Sequence, residues 1–282
     1  MLDLIRMDLV RMRKMKAGFI VLLIFVAIIG INAFTTKKLY ESTQDINSLA
    51  RQLDLEDQLE AADIPVTVLE SLRDKMDLRI DPFEEYSRIV PDLMPALFLS
   101  IFAVLFTIAD ISSGFIKTIG GQVMRRSMIV FSKLTVMLVY ELLFFAVSFG
   151  FSLFFDVIFF DNLKFSSAGT FLGFMGMQLF MHYSLMCFCS MLATVTRSTA
   201  AGLILSVMTA LQFFDLIIIL IQRFIKAYFE KTVNILQYLI TSNIIGVNLD
   251  TADVTKPLLI CGITGVVSVA LCCLSFEKRD MV

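Results

Sequence analysis

The stretch DISSGFIKTIGGQVMRRSMIVFSK, residues 110–133, decides the fold because it is a short polar and basic turn between two long apolar runs. Residues 93–108 before it are almost wholly apolar, and residues 134–155 after it carry only a few polar side chains. The basic residues of the turn are Lys117, Arg125, Arg126 and Lys133. Because short basic connections between membrane spans stay on the inner side, this turn is predicted to be cytosolic.

The composition indicates a multi-span membrane protein. Hydrophobic residues make up 57% of the chain and the mean hydropathy is +0.81, which is too apolar for the charged surface of a soluble protein. The 24 basic and 26 acidic residues nearly cancel, so no nucleic-acid partner is predicted. The five cysteines lie in apolar runs without CxxC spacing, which favours buried, unreactive thiols over disulfides or a metal site.

The N-terminal residues 1–16 are predicted to form an amphipathic helix on the inner leaflet. One sector of a helical wheel, about 100° wide, collects the apolar residues Met1, Leu2, Ile5, Leu9 and Met12. The alternative is that the basic residues of this segment only orient the first span. Residues 17–34 form that span, and the lack of a small-residue cleavage site predicts that it stays as an anchor.

Residues 35–91 are predicted to be extracellular and helical. Leucines recur at helical spacing on both sides of Pro65, which predicts a hairpin of two amphipathic helices. Asp81 and Pro82 then predict the start of a further helix, because aspartate caps a helix and proline suits its first turn. The hairpin either shields an outer exit or is a solvated decoration, and both interpretations stay open.

Residues 92–275 are predicted to hold the other five spans, so the fold class is an all-α membrane protein with six transmembrane helices and both termini cytosolic. Gly169, Gly173 and Gly176 are spaced for close helix contact in the fourth span. The remaining predicted segments are spans 93–111, 134–155, 167–193, 200–221 and 257–275, the cytosolic turn 112–133, a semi-buried outer segment 222–256 and a cytosolic tail 276–282.

The motifs that would indicate catalysis are missing from the sequence. It contains no GxxxxGK[ST] phosphate loop, no HExxH and no GxSxG, and its single histidine, His182, has no partner at metal-ligand spacing. The chain is therefore predicted not to be an enzyme by itself, with no metal or cofactor of its own.

Ionisable side chains within the spans are candidates for function, because burying a charge in a membrane is costly. They are Asp110, Glu141, His182 and Asp215. Lys133, Met137 and Glu141 share one helical stripe, so Glu141 could face the same cleft as the basic turn. Structural pairing between helices is weighed above an ion-carrying role. The phenylalanines of the third span could line a path for amphipathic substrates or could simply pack against lipid and helices.

The turn resembles the signature of type-two ABC exporter permeases, the membrane subunits of ATP-binding-cassette transporters. The matching residues are Asp110, Gly114, Phe115, Ile116, Lys117, Gly120, Gly121, Arg125, Arg126, Ser132, Lys133 and Leu134. The order of the predicted segments along the whole chain agrees with that family. Two departures are Asp110, where glutamate is usual, and the Gly120–Gly121 pair, which replaces a more helical stretch.

The resemblance implies that the turn docks on a separate ATPase subunit, which binds ATP and Mg. The residues implied in coupling are Asp110, Gly114, Lys117, Met124, Arg125, Arg126 and Lys133. It further implies a second permease subunit, identical or different, in a bacterial cytoplasmic membrane. The cargo it suggests is an amphipathic or antimicrobial peptide, as in permeases similar to lantibiotic-immunity and phenol-soluble-modulin exporters.

Two alternatives from other classes remain open at this point. One is an ion-coupled secondary transporter that uses Glu141 and Asp215. The other is a membrane sensor whose extracellular hairpin binds a ligand.

Overall fold

The structure, a computed structural model, describes residues 1–52, 80–112, 127–160, 163–229, 234–249, 251 and 253–278. These residues form ten α-helices and one 3-10 turn, Leu236–Tyr238. The helices are α1 Leu2–Lys14, α2 Lys16–Gln52, α3 Pro82–Ile89, α4 Leu93–Ser112, α5 Ser127–Phe159, α6 Ala168–Thr196, α7 Thr199–Ala210, α8 Phe213–Phe229, α9 Ile240–Gly246 and α10 Thr255–Lys278.

Five of these helices, α2, α4, α5, α6 and α10, are long and apolar enough to cross a membrane. A sixth span is present if α7 and α8, which are bent by 60° against each other, count as one. The predicted all-α, multi-span architecture is therefore confirmed within the described residues. Which side each end of the bundle faces stays a prediction.

Helix α6 lies at the centre of the bundle. It packs against α4, α7 and α10, and its side chains Met181, Leu185 and Cys189 are fully buried. On another side of the bundle, α2 packs on α5, where the Phe25 and Phe144 rings stack with centroids 4.7 Å apart. Contacts of α2 with α4, and of α5 with α6 and α10, join these two parts of the helical core.

Helices α2 and α5 are the two longest in the described part of the chain, and both are longer than a membrane span requires. Helix α2 has 37 residues and α5 has 33, so at a rise of 1.5 Å per residue they reach about 55 and about 50 Å, against about 30 Å of bilayer hydrocarbon. The helix predicted to end near residue 34 therefore continues to Gln52. Its extension keeps its contact with α5, since the Tyr40 ring meets Phe160 edge to face.

The start of α3 agrees with the sequence. The Asp81 carboxylate accepts a hydrogen bond from the Phe83 N–H at 2.9 Å, and Pro82 is the first helical residue. Helix α3 packs on the bundle, because Tyr86 is fully buried and its hydroxyl lies 2.6 Å from Ser148 Oγ of α5. The predicted hairpin before α3 falls largely on residues 53–79, outside the described part of the chain.

The predicted fifth span is not one continuous helix. It breaks after Ala210, where Gln212 takes a positive φ of 57°, and α8 leaves at an angle of 60°. No proline or glycine stands at this break, so it could not be predicted from the neighbouring residues. The following segment folds back, and Gln178 of α6 donates hydrogen bonds to the Ile244 and Val247 carbonyls.

The glycines that allow close helix contact differ from those predicted. A Cβ at Gly173 or Gly176 would meet no described atom within 4 Å. A Cβ at Gly202 of α7 would lie 3.3 Å from the Ala193 Cα of α6, and one at Gly265 of α10 would lie 3.2 Å from Ser184 Oγ. Glycine spacing identifies a helix stripe, but only the packing shows whether a neighbour lies against it.

Candidate functional site

The most highly connected polar group in the described bundle lies where α1, α4 and α5 meet. We call it the Asp110 cluster, and it consists of Asp8, Arg11, Asp110, Ser132 and Lys133. Along the chain, Asp110 precedes residues 113–126, and Ser132 and Lys133 follow them. These residues 113–126 are the part of the basic turn that is outside the described residues.

Asp110 is the centre of the cluster. Lys133 Nζ lies 2.5 Å from Asp110 Oδ2, and an Arg11 guanidinium nitrogen lies 2.7 Å from Asp110 Oδ1. The Lys133 ammonium also donates to the Phe106 carbonyl at 3.4 Å and lies 4.9 Å from the centroid of the Phe106 ring. One carboxylate therefore joins the last turn of α4 to α5 and to the N-terminal helix.

Helix-end electrostatics do not explain these charges. Asp110 lies in the last turn of α4, where the helix dipole disfavours a negative charge. Lys133 lies near the N-terminal end of α5, where the dipole gives a positive charge no support. Its side chain is only 3% exposed. Each charge is therefore stabilised mainly by the other, and the two residues form a buried connection between helices.

Asp8 adds a second connection to α5. It is 2% exposed, and its Oδ2 accepts a hydrogen bond from Ser132 Oγ at 2.6 Å. Burial raises the pKa of Asp8 above its ordinary value, while the Ser132 hydroxyl and the Lys133 charge act in the opposite direction. The two acids and two bases of the cluster balance in formal charge.

Helix α1 uses its apolar face for protein packing. Ile5, Leu9 and Met12 pack against the core, whereas Leu2 is 82% exposed. The predicted amphipathic helix is thus present, but most of its apolar stripe contacts the bundle instead of a leaflet. The sequence analysis missed Asp8 and Arg11. The available signal was that Asp8 lies on the apolar stripe, between Ile5 and Met12 at helical spacing.

Of the predicted coupling residues, the structure describes two, Asp110 and Lys133. Asp110 and Lys133, which were predicted separately, contact each other directly. Gly114, Lys117, Met124, Arg125 and Arg126 lie outside the described residues.

Glu141 lies in the packed interior where α5 meets α6. Whether it faces the same cleft as the basic turn stays a prediction, because residues 113–126 lie outside the described part of the chain. Glu141 is fully buried and lies close enough to Tyr183 and Cys187 of α6 to interact with both electrostatically. Neither carboxyl oxygen has a hydrogen-bond partner among the described residues. Glu141 is therefore a buried acid whose carboxyl oxygens find no hydrogen bond in the described packing.

His182 and Asp215 are anchored more fully. His182 Nδ1 lies 2.9 Å from the Gln178 carbonyl, and its ring lies 5.3 Å from that of Phe145. The Asp215 carboxylate accepts hydrogen bonds from Thr241 at 3.1 and 3.2 Å and from Ser242 at 2.6 Å. Asp215 thus links the start of α8 to α9.

The cysteines are placed as predicted. Four of the five are buried and Cys273 is half-buried, and all five thiols are free. Among the described residues, no group of three histidine, cysteine or acidic side chains is arranged to hold a metal ion.

Comparisons with protein-family models and with curated proteins find no match to this chain. What the geometry supports is a multi-span helical membrane protein in which the two helices flanking a basic turn are joined by a buried ion pair.

Proposed function

We propose that this chain is the permease subunit of an ABC exporter, driven by an ATPase subunit that docks on the turn between α4 and α5. The observation that supports this proposal best is the Asp110–Lys133 ion pair, which joins the end of α4 to the start of α5 on either side of that turn. The turn itself carries Lys117, Arg125 and Arg126.

A force applied to a turn reaches the membrane only if the turn is firmly joined to its helices. Removing one partner of a buried ion pair typically costs about 3–5 kcal/mol, because the other charge is left uncompensated. The two helix ends therefore resist separation, and they move together as one body. Arg11 extends that body to α1 through its contact with Asp110.

The ATPase surface expected at this turn is acidic with an apolar pocket. Arg125 and Arg126 would make charged hydrogen bonds to its carboxylates, and Met124 would supply an apolar anchor. ATP and Mg would bind to that partner, because this sequence contains no phosphate loop. In this arrangement the turn, both chain termini and α1 lie in the cytosol.

The proposed assembly contains two permease subunits, identical or different, in a bacterial cytoplasmic membrane. The proposed cargo is an amphipathic peptide, exported from the cell. Its chemistry follows from the apolar, phenylalanine-rich surfaces of the spans, among which Phe151 and Phe154 of α5 are exposed.

The test is isolation of the tagged chain from its native membranes in mild detergent. The preparation is expected to contain an ATP-binding-cassette subunit and to hydrolyse ATP. The double variant Arg125→Glu, Arg126→Glu is expected to lose that subunit and its activity. The matched control is Arg223→Glu, Lys226→Glu, which makes the same charge change at two exposed positions of α8. An ATPase that stays bound and active on the first variant contradicts docking through this turn.

Ion-coupled transport is the second candidate, and the buried Glu141 favours it. A carboxyl group without described partners inside a membrane bundle is typical of proton or ion relays. If this function is correct, export from vesicles stops when an ionophore removes the ion gradient and continues without ATP. The ABC exporter predicts the opposite dependence, so one vesicle assay separates the two functions.

A further inference from the structure

The break between α7 and α8 opens a cavity inside the bundle that the proposed ATPase coupling does not use. Its volume is about 360 Å³, and it is walled by parts of α6, α7, α8 and α10 and by the segment around Tyr238. Binding pockets for small molecules in proteins are typically about 300–1,000 Å³, so this one is large enough for a small organic ligand.

The cavity is reached from interior turns of the helices around it. Phe188 and Thr264, which both line it, belong to interior turns of α6 and α10. A helix broken near the middle of a membrane exposes backbone groups that are tolerated where they line a cavity, and such breaks commonly mark ligand sites. The bend of 60° and the positive φ of Gln212 place the break directly beside the cavity.

One wall carries a buried negative charge. Asp215 lines the cavity and is 6% exposed. Its carboxylate accepts three hydrogen bonds from two hydroxyl groups, one on Oδ1 and two on Oδ2, which leaves lone pairs open on Oδ1. No lysine or arginine nitrogen in the described part of the chain lies within 4 Å of it. The carboxylate is thus held in place by hydroxyl groups, without an ion-pair partner among the described residues.

The other walls suit a positive ligand with an apolar body. Phe188, Phe214 and Tyr238 contribute aromatic rings, and four of the other eight lining residues are aliphatic. Aromatic faces attract organic cations such as quaternary ammonium groups, and the attraction grows when water is excluded. A metal ion is a poorer match, because Asp215 is the single carboxylate among the described lining residues, and hard metal ions take several charged or carbonyl oxygen ligands.

We propose that this cavity binds a small organic cation, with its ammonium group at the Asp215 carboxylate and its apolar part against the aromatic walls. The site is independent of the proposed ATPase, because none of the residues in it belongs to the Asp110 cluster or the basic turn.

The experiment measures equilibrium binding of radiolabelled benzyltrimethylammonium to the purified full chain in uncharged maltoside micelles. Saturable binding is expected, with displacement by unlabelled ligand. Neopentylbenzene has nearly the same shape without the charge, and it is expected not to displace the cation.

Three variants locate the binding. Asp215→Asn keeps the size of the side chain and an oxygen for the hydroxyl donors, and it is expected to weaken binding at least tenfold. Leu205→Phe fills the cavity without changing the carboxylate and is expected to weaken binding similarly. Asp253→Asn removes an exposed acid outside the cavity and is expected to leave the affinity within twofold of the parent chain.

The proposal is overturned if the parent chain shows no saturable binding, if neopentylbenzene competes as well as the cation, or if Asp215→Asn and Leu205→Phe bind like the parent. The assay contains no ATPase and no ATP. A lack of cation binding therefore does not contradict the permease function. A lack of ATPase docking likewise does not contradict the cation site.

Discussion

Replacement of Lys133 by methionine tests whether the Asp110 cluster holds the bundle together. Methionine keeps the length and apolar stem of the lysine but removes its charge, so Asp110 loses Lys133 and keeps its ion pair with Arg11. Lys133 is 3% exposed and Asp110 10%, which makes their contact a buried pair. Arg11 is 31% exposed and still compensates part of the carboxylate charge.

The expected loss of unfolding free energy for Lys133→Met is about 3 kcal/mol, at the low end of the cost of breaking a buried pair. Arg11→Met should cost less, about 1 kcal/mol, because a partly exposed pair exchanges its contact for water. Converting both partners, in Asp110→Leu with Lys133→Met, should recover most of the loss, since no buried charge is then left uncompensated.

The assay is reversible unfolding in detergent, followed for the parent, both single variants and the double variant as a thermodynamic cycle. Lys133→Met within about 0.5 kcal/mol of the parent, the size expected of an ordinary surface substitution, would refute the reasoning. A double variant that is less stable than Lys133→Met would refute it as well.

Three further predictions concern other contacts. Tyr86→Phe removes the buried hydroxyl that meets Ser148 Oγ, and the unfolding free energy should fall by about 1 kcal/mol in the same assay; an unchanged value would show that this contact contributes nothing. Burial raises the pKa of Asp8 above 3.8, so the folded state binds the Asp8 proton more tightly than the unfolded state does. The unfolding free energy should therefore fall as pH rises through this raised pKa. In Asp8→Asn the unfolding free energy should depend less on pH in this range. The same pH dependence in the variant and the parent would contradict the assignment of this effect to Asp8. Gly202→Ala should cost about 1–3 kcal/mol, because its methyl group would lie about 3.2–3.3 Å from atoms of α4 and α6. Gly176→Ala, where no described atom is near, is the matched control and should be neutral or stabilising; equal effects would argue against close packing at Gly202.

Helix positions along the chain were largely predictable. The start of α4 at Leu93 and the cap formed by Asp81 and Pro82 depend on the side chains of neighbouring residues, so the local sequence contains the needed information. The bend at Gln212 was not predictable, because its cause is the packing of the segment that folds back and holds Asp215. The helix propensities of neighbouring residues contain no information on contacts between residues far apart in the sequence.

The candidate site was likewise predictable only in part. Asp110 and Lys133 were identifiable from charge placed at the edge of apolar runs, but their contact with Arg11 joins residues 99 positions apart. The sequence by itself determined that the chain is helical and apolar enough to cross a membrane, since hydropathy and helical period are summed over neighbours. Only the tertiary structure decided which buried charges are compensated, because Lys133 reaches Asp110 while Glu141 meets no hydrogen-bond partner among the described residues. Compensation depends on distances of a few ångströms between side chains of different helices, and those distances are fixed when the helices pack.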